Sequence, residues 1–427
     1  MLKFDYRYLD KKILSKSFLK KYQKDVNEII KRVNANTAEG CRLMGWKLTE
    51  NLYRTRELLE ISKKAKQWKQ FNLKQIVVIG VGGSYLGAKA AINMVKHSGP
   101  EYPEMIFVNN MSATYLLSIL NSLKGKKYGI IVISKSGKTL EAEMAFRLFR
   151  RQLIENVGVA SAKKLIVAIT NPEKGTLHMF AKANGYKIFT IPDNIGGRYS
   201  SLTPVGIFPM AVAGLDIGKV LKGAKQAILD LSNHKISENH AYLYACLRHY
   251  LYKEKKLSIE QFNVYEPMLK QVAYQWQQLF GESEAKKYKA LYPAVSLFTN
   301  DLHSIGQYLQ EGSRNFFETT LMVETSALDK KLKITDDEDG LRYLNNKNLS
   351  DLTFKAFHGT VDAHTRAKVN NLVIYISKAD EYHYGYLFMW LCHAAYMSAY
   401  LLKVNPFDQP GVESYKQKMF ELLGKNK

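Results

Sequence analysis

Two junctions between an apolar run and a helical run carry residue types suited to holding a phosphate. The first reads Gly80-Val-Gly-Gly-Ser-Tyr-Leu-Gly87 and follows the apolar run 75–80. Glycines let backbone N–H groups approach an anion, and the positive end of the helix that follows adds attraction. The second reads Ser134-Lys-Ser-Gly-Lys-Thr139 and ends the apolar run 128–134. Ser134, Ser136 and Thr139 can donate to phosphate oxygens, and two lysines stand among them. Each loop also has a plainer reading, as a tight turn or as a helix N-cap. Two such loops in one sheet favour a phosphomonoester pocket.

Related nucleotide motifs fail on single positions. G-x-G-x-x-G requires glycine where Tyr85 stands, and the next apolar run ends in Asn109-Asn110 instead of the acidic residue that holds a ribose. A P-loop requires glycine where Val132 stands. Cys41, Cys246 and Cys392 are too few and too scattered for a disulfide framework or a zinc site. The N-terminus meets charge before any apolar run of signal-peptide length, so a reduced, cytoplasmic protein is expected.

The chain has 427 residues and a formal net charge of +23, and 19 basic against 8 acidic residues fall within 1–75. Those lysines alternate at helical spacing with Phe18, Tyr22, Val26, Ile29 and Ile30, the pattern of a solvated helix face. No specific nucleic-acid partner is therefore expected, although a cationic surface favours anionic small substrates. Residues 384–402 contain no Asp, Glu, Lys or Arg, close to the roughly 20 residues that span a bilayer. Four tyrosines, Ser398 and His393 lie within them, so a helix packed inside a domain or a dimer is expected, and no membrane span.

The elements that must position these loops alternate. Helices are predicted over about 17–33 and 50–70. Apolar runs at 75–80, 105–109, 128–134, 165–170 and 187–191 are then separated by helices at about 84–97, 112–122, 139–157 and 174–184. After a helical stretch at 203–253, a second alternation sets strands at 259–265, 295–299, 317–324 and 372–377. This is an α/β protein with two doubly wound, flavodoxin-like parallel-sheet domains and helical N- and C-terminal extensions. The boundaries expected are 1–72, 73–230, 231–402 and 403–427. Ligands in such sheets bind at the carboxyl ends of the strands.

Two further stretches carry a resemblance. Asp193-Asn-Ile-Gly-Gly-Arg-Tyr-Ser-Ser-Leu-Thr-Pro-Val-Gly206 and Phe407-Asp-Gln-Pro-Gly-Val-Glu-Ser-Tyr-Lys416 resemble the signatures of the glucose-6-phosphate isomerase family, in its shorter bacterial branch. Gly-Gly-Ser at 82–84 and Ser-Lys-Ser at 134–136 are similar to that family's SIS-type sugar-phosphate loops. The resemblance implies interconversion of glucose 6-phosphate and fructose 6-phosphate without metal or organic cofactor, in glycolysis and gluconeogenesis. It also implies a homodimer whose active site is shared between subunits.

Residue by residue, it makes Glu282 the base, Arg198 the cation beside a cis-enediolate, His303 the ring-opening histidine from the neighbouring subunit, and Lys416 its assistant. Gln278 and Gln409 become substrate-binding glutamines, and Gly83, Ser84, Ser134, Lys135, Ser136 and Thr139 fall on sugar- and phosphate-binding positions. The chemistry suits these types, because one carboxylate can carry a proton from C2 to C1 while an arginine keeps its charge beside the oxyanion. Glu284 and Glu311 compete with Glu282 for the proton transfer. The alternatives are another sugar-phosphate enzyme of the same fold and a non-catalytic sugar-phosphate-sensing regulator.

Overall fold

The structure is a computed structural model and describes residues 2–47, 55–95, 102–336 and 338–424. Strand β1 spans Lys3–Asp5, β2 Gln75–Ile79, β3 Glu104–Val108, β4 Gly129–Ile133, β5 Ile166–Thr170 and β6 Lys187–Thr190. The later strands are β7 Ile259–Val264, β8 Tyr292–Leu297, β9 Phe316–Thr325 and β10 Asn371–Lys378. The first sheet has the order β3-β2-β4-β5-β6 and is parallel throughout. This is the flavodoxin-like order, and its reversal lies between β2 and β4. The two candidate phosphate loops leave those two strands, so both stand at the switch point. Every residue of β4 and β5 is buried, as helices covering both faces of a parallel sheet require.

The second sheet has the order β1-β10-β9-β7-β8. Its parallel strands repeat the first four positions of the same winding, and β1 adds an antiparallel edge through Phe4 opposite Ile374. The N-terminal segment is thus not wholly helical as expected. Three residues are too few to show alternation, and the pairing across more than 360 residues leaves no local trace. Strand β8 runs over Tyr292–Leu297 instead of 295–299, because its register is fixed from Ile259 opposite Tyr292 onward.

Helices follow the apolar periodicity closely. Lys16–Asn34 buries the five expected side chains, and the Ser15 hydroxyl accepts from the Phe18 amide at its start. The second helix is described over Thr55–Gln70, so the expected start at 50–54 lies outside the described residues. The same is true of the expected helix end at 96–97. One hydrophobic core joins both sheets, and a second cluster around Phe357 covers the other face of the second sheet.

The apolar stretch forms the helix Glu381–Leu401 and is buried on every side from Tyr384 to Leu401. Helices Ile217–Asp230, His240–Lys253 and Lys270–Glu284 pack around it. It therefore offers no face to a second copy, and the support it lent to a dimer falls away. No helix among the described residues is long and apolar enough to cross a membrane. Its contact with Ile217–Asp230 depends on two glycines: a Cβ on Gly385 would overlap the Val220 carbonyl, and one on Gly223 the Tyr382 carbonyl. Gly385→Ala is expected to cost about 1–3 kcal/mol, the usual range for overpacking, read as a lower urea midpoint with an unchanged slope.

Candidate active site

Arg198 stands in the short 3-10 turn Gly197–Leu202, inside the first signature. Its side chain is almost wholly buried, and each of its nitrogens has a partner. Nε donates to the Ser283 hydroxyl at 3.0 Å, and Nη1 to the Glu282 carboxylate at 2.8 Å. Nη2 donates to the carbonyls of Pro406 at 2.7 Å and Asp408 at 3.0 Å. Three segments far apart in the chain therefore meet on one guanidinium, whose planar fork suits several fixed acceptors at once.

Glu282 lies on the last turn of the helix Lys270–Glu284, with its side chain 32% exposed. Oε2 also accepts from Gln409 Nε2 at 3.1 Å, and Oε1 from Gln278 Nε2 at 3.0 Å. Gln278 and Glu282 share a face because they are four residues apart on one helix. The first signature, the helix and the C-terminal tail thus bring Arg198, Gln278, Glu282 and Gln409 together around one reachable carboxylate. That helix returns antiparallel to the strands it connects, so Glu282 comes from the opposite end of the second sheet to the carboxyl ends where ligands were expected. Among the described residues, only the first sheet presents its carboxyl-end loops here.

The glycine loop closes on the same group. A Cβ on Gly83 would overlap the Gly197 carbonyl, and one on Gly82 would meet the Gln278 amide at 2.8 Å. Gly83 is thus required by the close approach of two loops, and Ser84 ends the 3-10 turn beside it. In the second loop, the Ser134 hydroxyl accepts from the Gly137 amide at 3.0 Å and donates to the Thr139 hydroxyl at 3.4 Å. The Ser136 hydroxyl accepts from the Lys138 amide at 3.2 Å. Thr139 occupies the N-cap of Leu140–Val157, yet its side chain makes no capping bond.

Lys135 is held by backbone carbonyls around the start of the first signature. Its amine donates to the carbonyls of Pro192, Asp193 and Ile195, at 3.3, 3.0 and 3.2 Å. Burial pushes this amine below the ordinary lysine range, with Asp193 pulling it back. It ties the 134–139 loop to the first signature, and a ligand reaches it only by sharing those bonds.

His303 is exposed on the first turn of Leu302–Glu311, and among the described residues no hydrogen bond or ion pair joins it to Glu282. Lys416 lies in the tail helix Glu413–Leu422 and pairs with Glu413 at 3.1 Å. Of the competing acids, Glu284 is sealed away: Arg248 binds it and Glu260, with Ser398 beside them, and all three charged side chains are buried. Burial pushes the Glu284 carboxyl up, and Arg248 opposes that shift. Glu311 is exposed and accepts from Gln307 at 2.7 Å.

Sequence reasoning missed Ser283, Lys286 and the tail carbonyls. The Ser283 hydroxyl bonds both Arg198 and Tyr199, and Lys286 donates to the carbonyls of Glu282 and Ser283, each at 2.7 Å. Spacing alone held a signal for Lys286, four residues beyond Glu282. It missed the N-terminal segment too. Gly45 donates to the Asn194 carbonyl at 3.0 Å, and Trp46 stacks on Tyr199 at 5.1 Å, so residues 44–46 brace the first signature.

The Phosphoglucose isomerase family model matches residues 26–320, more than half of the chain. The chain belongs to the phosphoglucose isomerase family. It is 45% identical over 412 residues to the glucose-6-phosphate isomerase of Staphylococcus aureus strain Newman, covering 95% of this chain and 93% of that one. Among solved structures, a hypothetical protein of Thermus thermophilus matches with a TM-score of 0.89 and 27% identity, over 99% of this chain and 100% of that one. A Chlamydia trachomatis glucose-6-phosphate isomerase shares the fold at a TM-score of 0.83 and 20% identity, over 99% of this chain and 88% of that one.

In this phosphoglucose isomerase family member the Lys135 clamp is testable. Lys135→Met leaves three loop carbonyls without their donor, and a loss of about 1–3 kcal/mol in unfolding free energy is expected in urea titrations. Weaker retention of a phosphomonoester in isothermal titration should accompany it.

Proposed function

We propose that this protein interconverts glucose 6-phosphate and fructose 6-phosphate, an aldose–ketose isomerisation serving glycolysis and gluconeogenesis. The observation that carries the reading is Arg198 joined to Glu282 beside the glycine loop, in a chain 45% identical to a glucose-6-phosphate isomerase over nearly its whole length.

In the mechanism, the sugar phosphate lodges its phosphate against the Ser134–Thr139 loop, with Ser84 and the Gly83 backbone at its side. Backbone N–H groups and hydroxyls supply the donors there. Glu282 takes the proton from C2 and returns it to C1 of the cis-enediolate, so no net proton is gained or lost. Arg198 is fixed before substrate arrives and needs little reorganisation to face the developing oxyanion. Gln278 and Gln409 hold the Glu282 carboxylate in line and contact the sugar hydroxyls. His303 and Lys416 serve ring opening.

The exposed position of His303 fits a histidine that completes the site of a second copy, and a homodimer with shared sites is part of the proposal. The free thiols Cys41, Cys246 and Cys392 suit a reducing cytoplasm.

Proton NMR with fructose 6-phosphate in D₂O is expected to show glucose 6-phosphate with deuterium at C2. Substrate binding without any product would favour the sugar-phosphate sensor instead. Glu282→Gln should retain substrate binding and lose on the order of 100-fold or more in kcat, since a base is removed and its contacts are kept. Unchanged turnover in that variant would pass the base role to Glu311, the exposed competitor. Mixing His303→Ala with Glu282→Gln protein under subunit exchange should restore about a quarter of parental activity, because half the dimers then hold one intact site of two. No recovery would place His303 and Glu282 in the same protomer's site.

A further inference from the structure

Lys286 follows the helix that bears Glu282, and its side chain is only 6% exposed. Its amine donates at 2.7 Å to the carbonyls of both Glu282 and Ser283, groups that the end of a helix leaves without intrahelical partners. The same amine lies 3.5 Å from the carboxylate of Asp408, in the tail. The Asp408 carbonyl accepts from Arg198, and the neighbouring Gln409 donates to Glu282. The amine thus touches the turn that carries the base and the tail that caps it.

We propose that Lys286 is a positioning residue for the isomerisation: its ion pair with Asp408 clamps the 406–409 turn onto the Glu282 helix and so sets the geometry of Gln409 and Glu282. The inference rests on the isomerase reading above. It deepens that reading by adding a residue that touches neither sugar nor phosphate.

The charged groups facing the amine are Arg198 from the 3-10 turn, Asp408 from the tail and Glu282 from the helix. Burial lowers the amine to about 8, with Arg198 adding to the shift and Asp408 and Glu282 opposing it. Below about pH 8 the amine carries its proton and the ion pair stands. Above it, the neutral amine keeps two hydrogens for the two carbonyls but no longer attracts Asp408. Loss of the proton therefore frees the tail while leaving the helix end satisfied.

The experiment compares isomerisation by the full-length parent, Lys286→Arg, Lys286→Met and Asp408→Asn from pH 6.5 to 10. Limited proteolysis of the tail is followed at the same pH values. Lys286→Met is expected to lower kcat on the order of 10–100-fold with KM little changed, the size of effect a small misplacement of reacting groups produces. Lys286→Arg should recover much of that loss and move the alkaline limb of kcat to higher pH, since arginine keeps its proton. Tail cleavage should rise with pH in the parent and stay flat in Lys286→Arg.

Should Lys286→Met fail to fold, Asp408→Asn decides, because Asp408 is 45% exposed and its loss leaves the buried amine's carbonyl bonds intact. Parental kcat and pH profile in the soluble variants, or an unmoved limb in Lys286→Arg, would overturn the proposal while leaving the isomerase reading standing. A parent without isomerase activity would overturn that reading, and the proteolysis profile would then decide the clamp alone.

Discussion

The Arg198 guanidinium is the point on which the remaining geometry of the site depends. A buried cation is stable only when each donor finds an acceptor and its charge is balanced. The acceptors come from Ser283 and Glu282 on one helix and from the carbonyls of Pro406 and Asp408 in the tail. Satisfying Arg198 therefore draws the first sheet's signature loop, the second sheet's helix and the 406–409 turn into one place. The glycine loop can join them only because Gly83 has no side chain to meet the Gly197 carbonyl.

Glu282 and Glu284 show how one helix assigns different fates to the same residue type. Two residues correspond to a turn of about 200° around the axis, so the two carboxylates face opposite ways. Glu282 looks toward the loops and the exterior, held by Arg198, Gln278 and Gln409. Glu284 looks into the core, where Arg248 binds it and Glu260 while the Tyr244 and Thr319 hydroxyls donate to Glu260. Removing either partner of such a buried pair typically costs about 3–5 kcal/mol. The inner carboxylate thus fixes the end of the helix, and the outer one stays within reach of the exterior.

The two sheets contribute in different ways. The first presents its switch point, where two loops leave neighbouring parallel strands and supply amides and hydroxyls. The second contributes from its opposite end, through the end of a returning helix. Neither half carries a complete site. The helix Glu381–Leu401, buried from Tyr384 onward, and the shared core keep the halves in one arrangement. The N-terminal segment, whose basic residues suggested little beyond a solvated face, braces the signature loop through Gly45 and Trp46.

By itself the sequence determined whatever depends on local periodicity and on residue type. Apolar runs marked nine of the ten strands among the described residues, the spacing of Phe18, Tyr22, Val26, Ile29 and Ile30 marked a helix face, and the glycine and hydroxyl loops marked two strand-to-helix junctions suited to an anion. Two signatures pointed to Arg198 and Gln409. What tertiary structure decided was which of these residues meet. No local pattern tells that Lys135 faces three carbonyls, that Glu284 is closed in with Arg248, or that the long apolar helix is enclosed within its own protomer. The edge strand β1 and the Lys286–Asp408 contact escaped for the same reason. Periodicity records which face of an element is buried, whereas the identity of the partner is set by folding across tens to hundreds of residues.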